Sequence, residues 1–444
     1  MKFFVRFLIL MVLFLALNAQ EAVSTEKALL SGGKTTGQVK VMHILHDKTN
    51  SFAPKDGSGY LIWLKYVTPD LKLSGLKAGT AFYVNGDTGL TDWNDNSKNA
   101  QGMFTDVNGA SKALLGQAYV EYKNKLLEFK VGRQILHTPL TKIKWSLMPN
   151  FYQASVLKVK PLERLIVQAL FINKMAYGSR TATDYSLIGE KTGTAGVITA
   201  AIGQGAGTRE QASFINLGKG AGLSSTSGMS ALGINYALVN NLDISLWNYR
   251  AYNVANTVYT DAKYKISLSK DVNFILGGQY LKQKETGNAL AGEIDFELYG
   301  VKASFGNQNW SIYGAYNRSN DDQTVGVRSS FFNAWGADPA YTSSIFSRNA
   351  YRQDVSAYKI GGEISLIKGL KLMVSHADYG QSKTLGWGTT GSNQDAKETD
   401  IVLMYKPTKA LNLKIFNARR VSEYSTSAVE REQNHIRAIA SYNF

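Results

Sequence analysis

The chain has 444 residues, no cysteine, 41 glycines and 24 tyrosines, and its formal net charge is +15 at pH 7. The lack of cysteine excludes a disulfide scaffold and any metal site built on thiolates. The positive charge implies attraction to anions such as acidic solutes and lipopolysaccharide phosphates. No basic cluster with interleaved aromatic residues stands out, so nucleic acid is not an expected partner.

Residues 1–19 have the pattern of a signal peptide. Lys2 and Arg6 flank the start of the apolar run Phe7–Leu17, which is too short to span a bilayer, and a cleavage site follows near Ala19. No later segment approaches the roughly 18 continuous apolar residues of a transmembrane helix. The sequence predicts an exported protein whose residues 20–444 form a single domain.

The remainder consists of segments of about ten residues with alternating apolar and polar side chains, separated by turn residues. The first segments are Gly37–Leu45, Tyr60–Val67, Leu71–Val84, Ala113–Tyr122, Leu126–Gln134, Gln153–Lys160 and Glu163–Ile172. Those that follow are Gln211–Leu217, Ala231–Leu238, Leu242–Ala251, Thr257–Leu268, Val272–Leu281, Phe296–Phe305 and Asn309–Arg318. The last are Val355–Ile367, Leu370–Asp378, Asp400–Lys406, Leu411–Val421 and His435–Phe444.

These nineteen segments predict an all-β fold, a transmembrane antiparallel β-barrel of about 18 strands. Single-chain bacterial barrels have even strand numbers, so at least one segment is not a wall strand, and the short Gln211–Leu217 is the weakest candidate. Connections such as Lys123-Asn124 and Lys368-Gly369 fit short periplasmic turns. Longer connections fit external loops: Asn85–Ser111, Gly178–Glu210, Ser319–Asp354 and Tyr379–Thr399.

The final strand, residues 436–444, separates two kinds of side chain. Ile436, Ala438 and Phe444 share a face that suits lipid, whereas Arg437 and Ser441 share the opposite face. We expect this strand to pair with the first one, because an open sheet edge in hydrocarbon leaves backbone groups unsatisfied. Taken alone, the stretch also fits a half-buried strand of a soluble domain.

The same alternation places a set of cations on the water-filled side of several strands. A charge on the lipid face costs roughly 2–4 kcal/mol near the midplane, whereas a lumen accommodates it. Clustered cations in a narrow channel attract carboxylates and phosphates. Alternatively, each cation only solvates the wall or extends to the rim. The members of this predicted basic ladder are Arg164, Lys302, Lys359, Lys414, Arg420 and Arg437.

The segment Leu126–Phe151 is a second candidate site. Its strand ends before Pro139, and the following residues mix cations with an aromatic ring, as expected of a loop that folds into the lumen and narrows it. The predicted constriction residues are Lys142, Lys144 and Trp145. An external loop is the alternative.

Cofactor and catalytic patterns are weak. Asp87 and the residues Asp92, Asn94, Asp95 and Asn96 offer oxygen ligands for a loop-bound divalent cation, although such runs are commonly solvated turns. The sequence has no Gly-x-Ser-x-Gly elbow, and its five histidines form no catalytic pattern. We therefore expect neither a cofactor nor an enzyme.

Several motifs resemble a known family. Val131–Gln134, Thr138–Leu140 and Met148–Phe151 look like the entry into the constriction loop of OprD-type outer-membrane porins. Phe331–Arg352 looks like the long loop of the family's major-outer-membrane-protein branch. The resemblance implies a trimeric porin for small hydrophilic solutes, with a basic ladder that steers carboxylates.

The resemblance adds Arg133 to the ladder, yet strict alternation puts Arg133 on the lipid-facing side with Val131 and Phe129. Either Gly132 marks a bulge that redirects Arg133, or Arg133 lies beyond the membrane band. The chain also departs from relatives that carry Asp and Arg before the Met-Pro element, since it has Lys144 and Ser146 there. That difference puts a preference for basic amino acids in doubt.

Two other functions fit the same fold. The barrel could be a structural or adhesive surface protein that displays long external loops, which an absence of conductance would favour. It could also be an outer-membrane hydrolase, although no nucleophile constellation supports this. The porin interpretation accounts for more of the sequence than either alternative.

Overall fold

The computed structural model describes residues 32–48, 55–71, 73–90, 104, 111–142, 146–178, 213–221, 223–321, 327–328, 330–332, 334–336, 338–383, 394–424 and 427–444. The first ten strands are β1 Lys34–Lys48, β2 Lys55–Val67, β3 Leu76–Asp87, β4 Lys112–Lys123, β5 Leu127–Gln134, β6 Phe151–Leu162, β7 Leu165–Ala176, β8 Ile215–Asn216, β9 Met229–Val239 and β10 Leu242–Ala251. The next ten are β11 Ala255–Ser267, β12 Asn273–Glu285, β13 Glu293–Gly306, β14 Trp310–Ser319, β15 Val327–Arg328, β16 Ser356–Ile367, β17 Leu370–Tyr379, β18 Gln394–Tyr405, β19 Leu411–Tyr424 and β20 Ser427–Asn443.

Eighteen of these strands form a closed antiparallel wall. Each pairs with its sequence neighbours, except that β7 pairs with β9 past the two-residue β8, and β14 pairs with β16 past the two-residue β15. The ring closes between β1 and β20, where Gln38 lies opposite Asn443. The predicted all-β barrel and its closure by the final strand are confirmed.

The wall has one apolar face because successive side chains along each strand point alternately toward lipid and toward the water-filled interior. Val301, Ile360 and Ile401 are exposed on the outer face, while their neighbours Lys302, Lys359 and Asp400 point inward. The final strand follows the same rule: Tyr442 and Phe444 are exposed on the outside. The outer face therefore offers apolar side chains to lipid.

One end of the barrel, called the short-turn end, carries tight connections. In the turn after β4, the side-chain oxygen of Asn124 accepts hydrogen bonds from the N–H groups of Leu126 and Leu127 at 2.9 and 2.7 Å. In the turn after β16, Gly369 has φ of 82°, a conformation that disfavours residues with a side chain. The opposite end is called the long-loop end.

The segment Gln211–Leu217 does not supply a wall strand. Within it, Ile215–Asn216 pair only with Lys174 and Met175 near the C-terminal end of β7. Leu217 begins the single-turn helix α1, Leu217–Gly220. Across the parts of the chain that the structure describes, no helix is long and apolar enough to cross a membrane.

Candidate functional site

The interior of the barrel is occupied by a long connection between β14 and β16. We call its described residues between 330 and 352 loop B. Most of them are buried, and many contact inward-facing side chains of the wall. This corrects the expectation that Ser319–Asp354 forms an external loop: the part from 330 onward turns inward because its aromatic and small side chains pack into an apolar core.

On one side of the barrel, loop B is held by wall side chains of β6 and β12. The Tyr152 hydroxyl donates to the carbonyl oxygen of Trp335. Gln283 bonds both the N–H and the carbonyl of Phe332, each at 2.8 Å. The indole N–H of Trp335 donates to the Leu217 carbonyl at 3.0 Å. These bonds satisfy backbone groups that burial would otherwise leave unpaired.

On the far side, two carboxylates of β18 hold the next part of loop B. The two oxygens of Glu398 accept the N–H groups of Phe346 and Ser347 at 2.8 and 2.6 Å. An oxygen of Asp400 accepts the N–H of Ile345 at 3.2 Å. Loop B therefore spans the interior and is fixed to opposite parts of the wall.

Cations beside these carboxylates are neutralised locally. The ammonium of Lys359 lies 3.9 Å from Asp400 and donates to the Ser343 carbonyl at 2.8 Å. Arg348 forms an ion pair with Asp338 within loop B. Because these charges are buried and paired, they fix the loop more than they add positive potential to the open space.

Asp354 lies two residues beyond loop B. It forms ion pairs with Arg318 and with Lys383, the latter at 2.6 Å. Burial alone would raise the pKa of the Asp354 carboxyl, but these two cations outweigh it and hold the pKa below its ordinary value. The stabilisation is present above the ordinary carboxyl pKa of about 4 and is lost as pH falls through the lowered folded-state value.

We expect acidification from pH 6 to about 3 to lower the melting temperature of the wild type more than that of Asp354→Asn. The variant has no carboxyl at this position to protonate, so this part of its pH dependence is absent. Thermal unfolding followed by circular dichroism at both pH values tests the expectation. Equal losses in the two proteins would contradict it.

A second connection also enters the barrel. Its described residues, 135–142 and 146–150, are called loop A. Loop A meets loop B at Gly336, where an added Cβ would lie 2.6 Å from the Thr141 Cα and would also clash with the Leu140 carbonyl oxygen. Only glycine permits the two backbones to approach this closely.

Two adjacent cavities remain between these loops and the wall. The larger has a volume of about 680 Å³ and lies against β11 to β18. Its lining mixes cations with carboxylates, and several of them are paired. Its charged lining residues are Lys142, Lys263, Lys302, Arg348, Lys359, Asp338, Glu363 and Asp400.

The second cavity, of about 670 Å³, lies against β7 and β9 to β11. Lys142 and Lys263 line both cavities. Burial, together with the charges of Lys142 and Lys158, lowers the pKa of His137. The charged residues that line only this cavity are Arg164, Asp243 and Asp261.

Three of the predicted basic residues line the cavities with part of their surface open. Lys302 points inward over the ring of Tyr313, at 4.1 Å from its centroid. Lys142 is exposed in the middle of loop A, and Arg164 is exposed in the turn between β6 and β7. Among the described residues, neither Lys142 nor Arg164 forms an ion pair.

Other predicted residues point inward but are less accessible. Arg437 is 1% exposed, lies 5.4 and 5.6 Å from the ring centroids of Phe346 and Phe416, and donates to the His435 ring at 2.8 Å. Arg420 is 8% exposed and donates to Gln433 and to Asn349 of loop B.

Lys414 points inward and is partly buried, near Lys40 on β1. The structure brings Arg420 and Arg437 against loop B, whereas Lys302, Lys142 and Arg164 lie along the cavities. The predicted ladder thus falls into separate groups.

Arg133 lies on the outer face of the barrel, which departs from its assignment to the inner ladder. Gly132 has φ of 123°, but the pairing of β5 with β4 and β6 continues without a shift, so Arg133 keeps the outward direction of Val131. Its guanidinium stacks on the ring of Phe214 at 4.5 Å. The irregular glycine does not redirect the side chain.

The predicted constriction residues Lys144 and Trp145 lie outside the described residues, as do residues 1–19 and the candidate cation ligands at 92–96. In the described part of the chain, no group of three or more His, Asp or Glu side chains is arranged to hold a metal ion.

Several interior residues were not singled out from the sequence. Lys263 lines both cavities and forms an ion pair with Asp261 at 2.7 Å. Lys40 donates to the Leu147 carbonyl of loop A at 3.1 Å. Alternation along β1 and β11 would have placed both lysines inward, but their contacts depend on loops whose paths the sequence does not show.

A closed membrane barrel with loops folded into its interior and polar cavities beside them is the architecture of a porin. The sequence matches the model of the family described as outer membrane porin, OprD family, over residues 85–444. The chain belongs to the OprD family of outer membrane porins.

Solved structures share the fold at low identity. Acinetobacter baumannii OccAB2 is 17% identical with a TM-score of 0.73, covering 94% of this chain and 99% of that one. Pseudomonas aeruginosa OpdK, solved with vanillate, is 14% identical with a TM-score of 0.71 and the same coverage. Pseudomonas aeruginosa OccK2, solved with glucuronate, is 12% identical with a TM-score of 0.70 and the same coverage. No curated protein sequence matches.

Proposed function

We propose that this porin is a water-filled diffusion channel whose interior attracts small hydrophilic solutes carrying a carboxylate. The observation that carries the proposal is the position of Lys142: it is exposed, lines both cavities and forms no ion pair with any described residue. Lys302 and Arg164 line the same space. Three other cations of these cavities, Lys263, Arg348 and Lys359, are paired with carboxylates, so Lys142 and Arg164 add positive charge that no described carboxylate pairs.

Two relatives support this choice of solute. The structures of OpdK and OccK2 were solved with vanillate and glucuronate, and each of these compounds carries one carboxylate. In this chain, loops A and B would form the constriction, with Lys142 at its edge.

We further propose that residues 1–19 are a signal peptide and that the protein is a homotrimer. The long-loop end would face the outside of the cell, and the short-turn end would face the periplasm.

The double charge reversal Lys142→Glu with Lys302→Glu tests the proposal. We expect the ratio of cation to anion permeability to rise roughly threefold or more, because the reversed charges lie beside the path of the ions. Reversal potentials across a planar bilayer in a salt gradient give this ratio. Lys284→Glu, on the outer face beside Asp295, makes the same kind of charge change away from the interior and should leave the ratio unchanged.

Glucuronate and glucose, which have similar size, separate carboxylate attraction from general permeation. Glucuronate should reduce the ionic current of the wild type more than glucose does, and the double variant should lose this difference. An unaltered reversal potential and no preference for glucuronate would contradict the proposal. Folded protein without any conductance would favour a structural or adhesive role.

A further inference from the structure

The outer face of the barrel carries a basic patch near the long-loop end. Arg133 on β5 lies opposite Gln153 on β6, and Gln153 lies opposite Lys174 on β7. Strands are about 4.8 Å apart, so the backbones of Arg133 and Lys174 are separated by about 10 Å. Lys174 is exposed, whereas its neighbour Met175 is buried on the inside.

A third cation extends this patch along the wall. Phe171 on β7 lies opposite Ser230 on β9, which in turn lies opposite Arg250 on β10. Phe171 and Arg250 are both exposed on the outer face, and Arg250 lies 5.8 Å from the centroid of the Tyr252 ring. We call Arg133, Lys174 and Arg250 the outer basic patch.

Other cations on the same outer face, unlike these three, form ion pairs with carboxylates. At the long-loop end of β12, Lys282 pairs with Glu297 and Lys284 pairs with Asp295 at 3.5 Å. Within the described part of the chain, no carboxylate lies within ion-pair distance of any member of the outer basic patch. The patch therefore presents positive charge that no described carboxylate balances.

The wall beside the patch is concave. A depression of about 350 Å³ lies between β4 and β7, and small side chains form its floor. Val131 and Phe171 offer apolar contacts within it, while Arg133, Gln153 and Ser155 offer polar ones. The surface thus combines a cationic edge with an apolar hollow, as a phosphorylated amphiphile requires.

We propose that the outer basic patch binds the phosphate groups of a phosphorylated glycolipid in the outer leaflet, with an acyl chain resting against the depression. The proposal rests on the membrane orientation given under Proposed function but not on the choice of solute. Unpaired cations on a lipid face are tolerated near the interface and disfavoured near the midplane, so an anionic headgroup is the complementary neighbour at this height.

The test measures lipid binding to the purified oligomer in detergent by native mass spectrometry. The probe is lipid A with both phosphates, compared with the same lipid A after enzymatic removal of its phosphates. We expect Arg133→Gln with Lys174→Gln to weaken binding of the phosphorylated lipid by roughly tenfold or more, since each cation contributes to headgroup attraction. Arg133→Lys with Lys174→Arg keeps both charges and should retain binding.

The matched control is Lys282→Gln with Lys284→Gln, which removes two paired cations from the same face and should change binding little. An equal loss in this control, an equal loss for the dephosphorylated lipid, or no loss at all would overturn the proposal. If the Arg133 and Lys174 variant instead dissociates the oligomer with unchanged lipid binding, a second copy of the chain supplies the balancing charge. Conductance measured on the same samples reports channel function separately.

Discussion

Removal of loop B is expected to raise single-channel conductance several-fold. Arg318 and Ser356 lie opposite each other on β14 and β16, so a short Gly-Ser turn can join the two strands in place of residues 320–355. Loop B crosses the interior from Gln283 to Glu398, and without it water and ions would fill that space. The polar wall groups that it now bonds would be hydrated instead.

Conductance in a planar bilayer at fixed salt measures the effect, and heat-modified mobility in gels confirms that the barrel is folded. The deletion is expected to cost stability, because Phe296 and Leu298 lose the apolar cover of loop B. The double variant Lys282→Gln with Lys284→Gln, on the outer face, should retain wild-type conductance. A folded deletion variant with unchanged conductance would show that loop B does not limit the passage.

The substitution Gly336→Val is expected to destabilise the interior strongly. Its side chain would enter the space held by the Leu140 carbonyl and the Thr141 Cα, and both obstacles are backbone atoms that a rotamer change cannot move. Forced overpacking of this kind lowers the free energy of unfolding by about 1–3 kcal/mol. Separation of the two loops should also make the open-channel current noisier.

Denaturant unfolding in lipid vesicles and single-channel recordings measure both effects. Gly278→Ala is the matched control, because nothing lies within 4 Å of a Cβ added there. That variant should resemble the wild type. A Gly336→Val protein with wild-type stability and quiet currents would mean that loops A and B do not press against each other.

The wall of this barrel could be predicted from the sequence because lipid and water impose opposite demands on adjacent residues. Each of the eighteen wall strands overlaps a predicted segment, and Gln211–Leu217, the weakest candidate, is the one that fails. Strand ends were less predictable. β18 begins at Gln394 and β20 at Ser427, ahead of the predicted Asp400 and His435, because alternation fades where neither face meets lipid.

Arg133 shows how the two kinds of sequence argument differ. Alternation placed Arg133 with Val131 on the outer face, whereas family resemblance placed it in the lumen, and the structure agrees with alternation. The alternation of apolar and polar residues along a strand shows directly whether each side chain faces lipid or water. A resemblance between motifs carries over the chain path but not the direction of each side chain.

The inward path of loop B could not be predicted, since the same aromatic and small residues would suit an external loop. What directs it is a set of partners distant in sequence, such as Gln283 for Phe332 and Glu398 for Phe346. Single-sequence periodicity carries no information about such pairs. The burial of Arg437 has the same origin, because the ring that covers it, Phe346, belongs to loop B.

The seam between β1 and β20 has a consequence for assembly. The side chains of Gln38 and Asn443 meet across it although they are 405 residues apart, whereas most other ladders join adjacent hairpins. Hairpins between strands adjacent in sequence form quickly. The pairing of β1 with β20 instead requires two segments near opposite ends of the chain to come together, at a large entropic cost. Until that happens two rows of unsatisfied amides remain, so insertion and cylinder completion must be coupled events.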